Sequence, residues 1–310
     1  MTALALAALL LSAPLETPVT MDGGLAPLHG TLLRPDGPTT AAALIIPGSG
    51  PTDRDGNSPY GVINGALKQL AEGLAEQGIA SVRIDKRGVA ASRPAGPDEA
   101  TLTLDGYAAD ARAWADVAAR ETGRPCVWLV GHSEGALVAQ LAAEAPQPTI
   151  CGLVLISAAG RSAGILMREQ MANQIPPEGM AMVEAILVEF EAGRTIEDPP
   201  AQLAPLARKS VQPYMISWLS RDPAPLAARY NGPIFIGQGT TDLQTKVVDA
   251  EALAAAQPNA KLVIWDEVNH VLVQVSNDLA DNTATYFNAQ ARIDPRVIQD
   301  VADFIKANTP

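Results

Sequence analysis

Short, wholly apolar runs alternate along this chain with segments whose apolar residues recur every three to four positions. Residues 41–46 (AAALII) form such a run, closed by Pro47-Gly48, the pattern of a strand buried on both faces. Residues 63–77 carry Ile63, Leu67, Leu70 and Leu74 at helical spacing, and Gly78 stops them. A second buried strand, residues 79–84, ends in Asp85-Lys86-Arg87-Gly88. Residues 107–121 predict a helix, 126–130 a strand, 136–145 a helix and 150–157 a strand. Near the start, residues 17–34 hold two strand-like stretches around the turn Asp22-Gly23-Gly24. The alternation predicts an α/β fold, a mainly parallel sheet with helices on both faces.

The alternation pauses at about residues 161–230, where helical segments and prolines replace strands. It resumes with a strand at 233–237, a helix at 246–255, a strand at 261–265 and a last helix at about 295–307. The expected organisation is one α/β body, residues 17–160 and 231–310, interrupted by a helical cap at 161–230. No internal repeat is visible.

Composition narrows the function classes. The chain has 310 residues, 47% hydrophobic and 18% charged, which excludes a disordered chain and suffices for one sizeable core. With 22 Lys+Arg against 34 Asp+Glu the net charge is −12, which argues against nucleic acid and anionic lipid as partners. The proposed cap carries seven basic and eight acidic residues, so the acidity lies on the body. Two cysteines and three histidines are too few for a disulfide framework or a Cys/His zinc module. No run reaches the roughly 18–20 apolar residues of a membrane-spanning helix.

Residues 3–12 (ALALAALLLS) match the apolar region of a secretory signal peptide in length, but no basic residue precedes Arg34. Residues 1–16 are therefore either a signal or an N-terminal extension, and the location, exported or cytoplasmic, stays open with them. Cys126 and Cys151 open adjacent strand runs and fall at the same end of the sheet. A bridge between them is conceivable in an oxidising compartment. The expected state is two reduced cysteines packing as small hydrophobes.

Gly131-His132-Ser133-Glu134-Gly135 fits G-x-S-x-G between a buried strand and a small-residue helix. That is the setting of a nucleophile elbow, in which Ser133 points out of the carboxyl end of the sheet. A serine hydroxyl needs a base. His132 is its sequence neighbour and points elsewhere, and His29 lies in an early strand. His270 follows the last strand at the carboxyl edge, so it is the expected general base. Asp242, in the loop after the preceding strand, is the expected orienting carboxylate, with Asp266 and Glu267 as fallbacks. The order Ser133, Asp242, His270 is that of the α/β-hydrolase triad. A tetrahedral intermediate needs two amide donors. These are expected from Glu134 and from the loop Pro47-Gly48-Ser49-Gly50-Pro51, with Ser49 favoured and Gly50 second. No Lys-Ser/Thr follows that loop, so it does not read as a phosphate cradle.

Taken with Gly48-Ser49-Gly50-Pro51-Thr52-Asp53-Arg54-Asp55-Gly56-Asn57, Asp85-Lys86-Arg87-Gly88 and Ile293-Asp294-Pro295, the elbow resembles the α/β-hydrolase superfamily, in the bacterial esterase branch labelled serine-aminopeptidase-like. The resemblance implies an eight-stranded sheet, a helical cap after the sixth strand and hydrolysis of short- to medium-chain esters without a cofactor. The aminopeptidase label describes kinship and does not imply peptide cleavage. Ala90-Ala91 departs from the branch, which usually has another glycine there. Arg54 and Arg87 are read as fixing loops through Arg–Asp pairs, with a substrate carboxylate as the other reading.

Five of the seven methionines fall in the cap: Met167, Met171, Met180, Met182 and Met215. They predict either a pliable acyl or alkyl pocket or simple packing of cap helices. The leading reading is a serine carboxylesterase acting on a small-molecule ester. Thioesterase, lactonase and aminopeptidase activities use the same machinery, and a ligand receptor on a hydrolase fold is the alternative outside enzymes. The oligomeric state is not readable.

Overall fold

A computed structural model of the chain describes residues 15–172 and 175–310. The 3–12 apolar stretch lies outside the described residues. Eight strands are found among those described: β1 Leu15–Met21, β2 Leu28–Arg34, β3 Ala41–Ile46, β4 Ile79–Ile84, β5 Val127–His132, β6 Ile150–Ile156, β7 Ile234–Gly239 and β8 Lys261–Trp265. They form one sheet in the order β1-β2-β4-β3-β5-β6-β7-β8. β1, β2 and β4 pair antiparallel in succession, and every pair from β4 to β8 is parallel. The order reverses between β3 and β5, so a crevice opens beyond their carboxyl ends, where ligands bind in open α/β sheets.

The helices are α1 Ala66–Glu76, α2 Leu104–Thr122, α3 Glu134–Ala142, α4 Ala163–Ala172, α5 Pro177–Glu191, α6 Ala204–Ala207, α7 Gln212–Leu219, α8 Pro223–Arg229, α9 Val247–Ala256, α10 Leu279–Tyr286 and α11 Pro295–Asn308. The period of two along β3 shows why both sheet faces must be covered. Ala42, Leu44 and Ile46 pack with residues of α2, α3, α8 and α9. Ala41, Ala43 and Ile45 pack with residues of α1 and α11.

Between β6 and β7 the described residues form α4 to α8 and no strand. This insertion has its own core around Val183, Ile186, Leu187, Phe190, Val211 and Met215. Met167 and Met171 pack against that core, and the Met182 sulfur accepts a hydrogen bond from Gln202. Met167 and Met171 thus pack helix against helix, whereas Met215 belongs to that core and also lines a cavity.

The two cysteines depart from expectation. Cys126 and Cys151 are joined by a disulfide, with their Cα atoms 5.2 Å apart. Val127 pairs with Ile150, so the parallel register sets the two thiols side by side at the amino ends of β5 and β6. A cross-link spanning 25 residues contributes roughly 3 kcal/mol, by restricting the unfolded chain in the entropic account. It ties the strand that carries Ser133 to its neighbour.

Candidate active site

The elbow forms because three backbones meet at the end of β5. Ser133 sits between β5 and α3 with φ 56° and ψ −123°, a conformation rare for a side-chain-bearing residue. A Cβ on Gly131 would strike the backbone of Gly135 and Ala136. One on Gly135 would strike the carbonyls of Ile46 and Pro47. The turn therefore closes only with glycine on both sides. A Cβ on Gly48 would lie 3.2 Å from the Ser133 Cβ, so the loop after β3 runs directly against the candidate nucleophile. Glu134 is the first residue of α3, and its amide is one of the helix's unsatisfied donors.

A cavity of about 280 Å³ is bordered by Ser49, Ser133 and His270, with Tyr60, Val62 and Tyr286 among its walls. None of the described residues lining it carries a carboxylate. Behind it, His270 Nδ1 lies 2.8 Å from Asp242 Oδ2. Asp242 is 2% exposed. Its Oδ1 accepts the amides of Gln244 and Thr245 at 2.7 and 3.0 Å, and its Oδ2 accepts from the Thr245 hydroxyl and Gln238. Burial pushes its pKa up. The neighbouring His270 ring and the Gln244 and Thr245 amides more than offset that, and bring it to about 2. The group is a carboxylate, so the imidazole carries its proton on Nδ1 and leaves Nε2 as an acceptor for a hydroxyl. Of the fallbacks, exposed Asp266 accepts from Thr240, and Glu267 is exposed in the turn before His270.

The two loops are locked together through Asn269 and Asn282, both fully buried. Asn269 donates to Asn282 Oδ1 and Thr285, and Asn282 donates to the Thr241 carbonyl. No sequence signal marks Asn282, which sits on α10, a helix without apolar periodicity.

His132 is closer to the site than its place in the sequence suggests. Its Nε2 lies 2.8 Å from the His270 carbonyl oxygen and its ring centroid 4.8 Å from that of His270. Burial, and then the neighbouring His270, push its pKa down to about 4. The ring is therefore neutral and donates Nε2–H to the carbonyl. Its value when unfolded is about 6.5, so between pH 6.5 and 4 the unfolded chain binds a proton that the native chain refuses. This stabilisation is complete above pH 6.5 and is lost as the pH falls towards 4. We expect the wild type to lose roughly 2 kcal/mol more than His132→Gln between pH 7 and 4.5, read from urea unfolding. Equal losses would contradict the assignment.

A second cluster escaped sequence reasoning. Lys86, from the loop after β4, is 4% exposed. It donates to the Gly48 carbonyl at 2.5 Å and to Glu134 Oε1 at 2.9 Å, and its ammonium lies 5.1 Å from the Tyr107 ring centre. The Tyr214 hydroxyl of α7 donates to Glu134 Oε2. Charges this far apart in sequence leave no local pattern.

The loop arginines are structural. Arg54 pairs with Asp85 at 2.5 Å. Arg87 forms a fork on Asp110 and reaches the carbonyls of Gly23 and Ala95. Ala90, where the resembling branch usually has glycine, adopts φ 43°. The position keeps the left-handed backbone without the residue best suited to it. Among the described residues, no three His, Cys, Asp or Glu side chains are placed to hold a metal ion.

Solved structures with the same fold include Est1E from Butyrivibrio proteoclasticus with ferulic acid bound, at 18% identity and TM-score 0.61, covering 94% of this chain and 98% of that one. An esterase from Pyrococcus furiosus matches at 16% identity and TM-score 0.58, covering 96% and 91%. Dienelactone hydrolase from Anabaena variabilis matches at 16% identity and TM-score 0.55, covering 96% and 100%. No curated protein matches the chain. The family model described as "Serine aminopeptidase, S33" matches residues 60–265, more than half of the chain, from Tyr60 in the cavity wall to the end of β8. The chain therefore belongs to the serine aminopeptidase S33 family and has the α/β-hydrolase fold.

Proposed function

We propose that the protein is a serine carboxylesterase acting on short- to medium-chain acyl esters. The observation that carries the reading is the Asp242–His270 hydrogen bond, set behind a cavity that His270 shares with Ser133. Ser133 Oγ attacks the ester carbonyl while His270 Nε2 takes its proton. The amides of Ser49 and Glu134 hold the oxyanion. Collapse expels the alcohol, which takes the proton from His270. Water, deprotonated in turn by His270, then releases the carboxylic acid and restores Ser133.

The Ser133 cavity has no carboxylate among its described lining residues, and Glu99 in the wall of a second cavity is taken up by Arg208 and Ser210. This favours an ester over a substrate with a free amino terminus, which an acidic group would recognise. The Pyrococcus furiosus neighbour, named an esterase, points the same way. The insertion at 161–230 acts as a cap in this reading. The second cavity, about 370 Å³, lies between Gly50, Pro51 and Tyr60 on one side and Val211, Tyr214 and Met215 on the other. Tyr60 borders both cavities, so the acyl or alkyl chain extends from Ser133 under the insertion.

The test is a series of p-nitrophenyl esters of about two to twelve carbons, with Ser133→Ala as blank. Turnover of the shorter esters is expected, with Ser133→Ala lowering kcat by at least about 10⁴-fold. No turnover across the series, beside cleavage of an aminoacyl anilide, would replace the esterase reading with a peptidase one.

A further inference from the structure

Lys86 does not border the cavity that holds Ser133, although it lines the second cavity under the insertion. Yet its ammonium grips both segments from which the proposed oxyanion donors come. The Gly48 carbonyl, its acceptor at 2.5 Å, belongs to the same peptide unit as the Ser49 amide. In a trans peptide the C=O and N–H point in opposite directions. A cation fixed on the Gly48 oxygen therefore sets the direction of the Ser49 N–H, and polarises it as a donor. The second acceptor, Glu134 Oε1, belongs to the residue whose own amide is the other proposed donor. We propose that Lys86 is a positioning residue for the oxyanion hole, and that Glu134 and Tyr214 hold its ammonium in place. This rests on the reading of Ser49 and Glu134 as oxyanion donors.

The arrangement makes a distinct kinetic claim. The oxyanion exists only in the transition state and the intermediate, so a misdirected donor lowers kcat and spares KM. Removing one donor outright costs about 10²–10³ in kcat, and loosening its peptide is expected to cost about 30- to 100-fold. A merely structural ion pair predicts something else: once both charges are gone, activity returns.

The experiment compares wild type, Lys86→Met, Lys86→Arg and the double variant Lys86→Met/Glu134→Gln on p-nitrophenyl acetate, with melting temperatures measured alongside. The double variant leaves no buried charge unpaired, so it folds even where Lys86→Met does not. The expected result is a kcat loss of about 30- to 100-fold in each Met-containing protein that folds, with KM within about threefold of wild type. Lys86→Arg, which keeps a cationic donor, recovers at least about tenfold of that loss. A double variant within about threefold of wild-type kcat overturns the proposal, since Lys86 then only neutralises Glu134. A loss confined to KM, or Lys86→Arg as impaired as Lys86→Met, overturns it as well. A wild type that turns over no ester overturns the esterase reading and this proposal together. An active wild type beside equally active variants overturns the Lys86 proposal alone.

Discussion

Asp242→Asn lowers kcat for an activated ester by about three to four orders of magnitude and leaves the protein folded. Asp242 Oδ1 accepts two backbone amides, Gln244 and Thr245, so the carbonyl oxygen of the substituted side chain takes that place. Its NH₂ then faces His270 Nδ1, where Oδ2 stood 2.8 Å away. A donor there demands a bare Nδ1 and drives the imidazole proton to Nε2. The nitrogen that must take the Ser133 proton is then already protonated. The Thr245 hydroxyl can turn to accept, while Gln238 Nε2 loses an acceptor. The stability cost is on the order of 1–3 kcal/mol, far below what a 10⁴-fold rate loss would need if it came from unfolding. In the wild type the carboxylate pKa is about 2, so Asp242 stays charged through the neutral and mildly acid range. Matched kcat, KM and thermal unfolding of the two proteins check this. A variant within tenfold of wild type would remove Asp242 from the mechanism.

The second large effect is on stability. Gly135→Ala is expected to destabilise the protein by roughly 3 kcal/mol or more, lowering Tm by about 5 °C or more. Helix propensity alone predicts the opposite sign, since Ala exceeds Gly by about 1 kcal/mol in a helix. The close approach decides. A Cβ at Gly135 would press on the carbonyls of Ile46 and Pro47, backbone atoms at the end of β3 that no rotamer change can move aside. Relief would push α3 away from that strand, or displace the loop that carries Ser49. Activity therefore falls together with stability. A scanning calorimetry trace with unchanged or raised Tm would show that the elbow does not need the approach.

The fold was legible wherever burial writes a simple pattern. Strands β3 and β5 are enclosed on both faces and were marked by continuous apolar runs, while β4, equally enclosed, carries buried Ser81 and Arg83 among its apolar residues. The edges were less legible. Ile63 fits the helical spacing of α1, yet it is 48% exposed, because left-handed Gly65 caps the helix and Ala66 begins it. Helix α10 escaped because Asn282 is its one buried residue, and a buried amide inside LADNTATY does not look apolar. The same physics divides the site. Ser133, Asp242 and His270 could be proposed together because each follows a strand, and the sheet delivers the ends of β5, β7 and β8 to one edge. The ties between loops were not: Lys86 to Gly48 and Glu134, His132 to the His270 carbonyl, and Asn269 to Asn282 all join distant segments. The disulfide is intermediate. Sequence placed both thiols at one end of the sheet, but the pairing that brings Cys126 to Cys151 is a property of the β5–β6 register.

The central claim is that Ser133 is an activated nucleophile whose base is His270. Its most direct measurement is the rate of fluorophosphonate labelling of wild type and His270→Ala, followed by peptide mapping of the adduct. The account predicts stoichiometric phosphonylation on Ser133 in the wild type, and a rate at least about 10³-fold lower without the imidazole. An adduct on another residue, or equal rates in the two proteins, would contradict it.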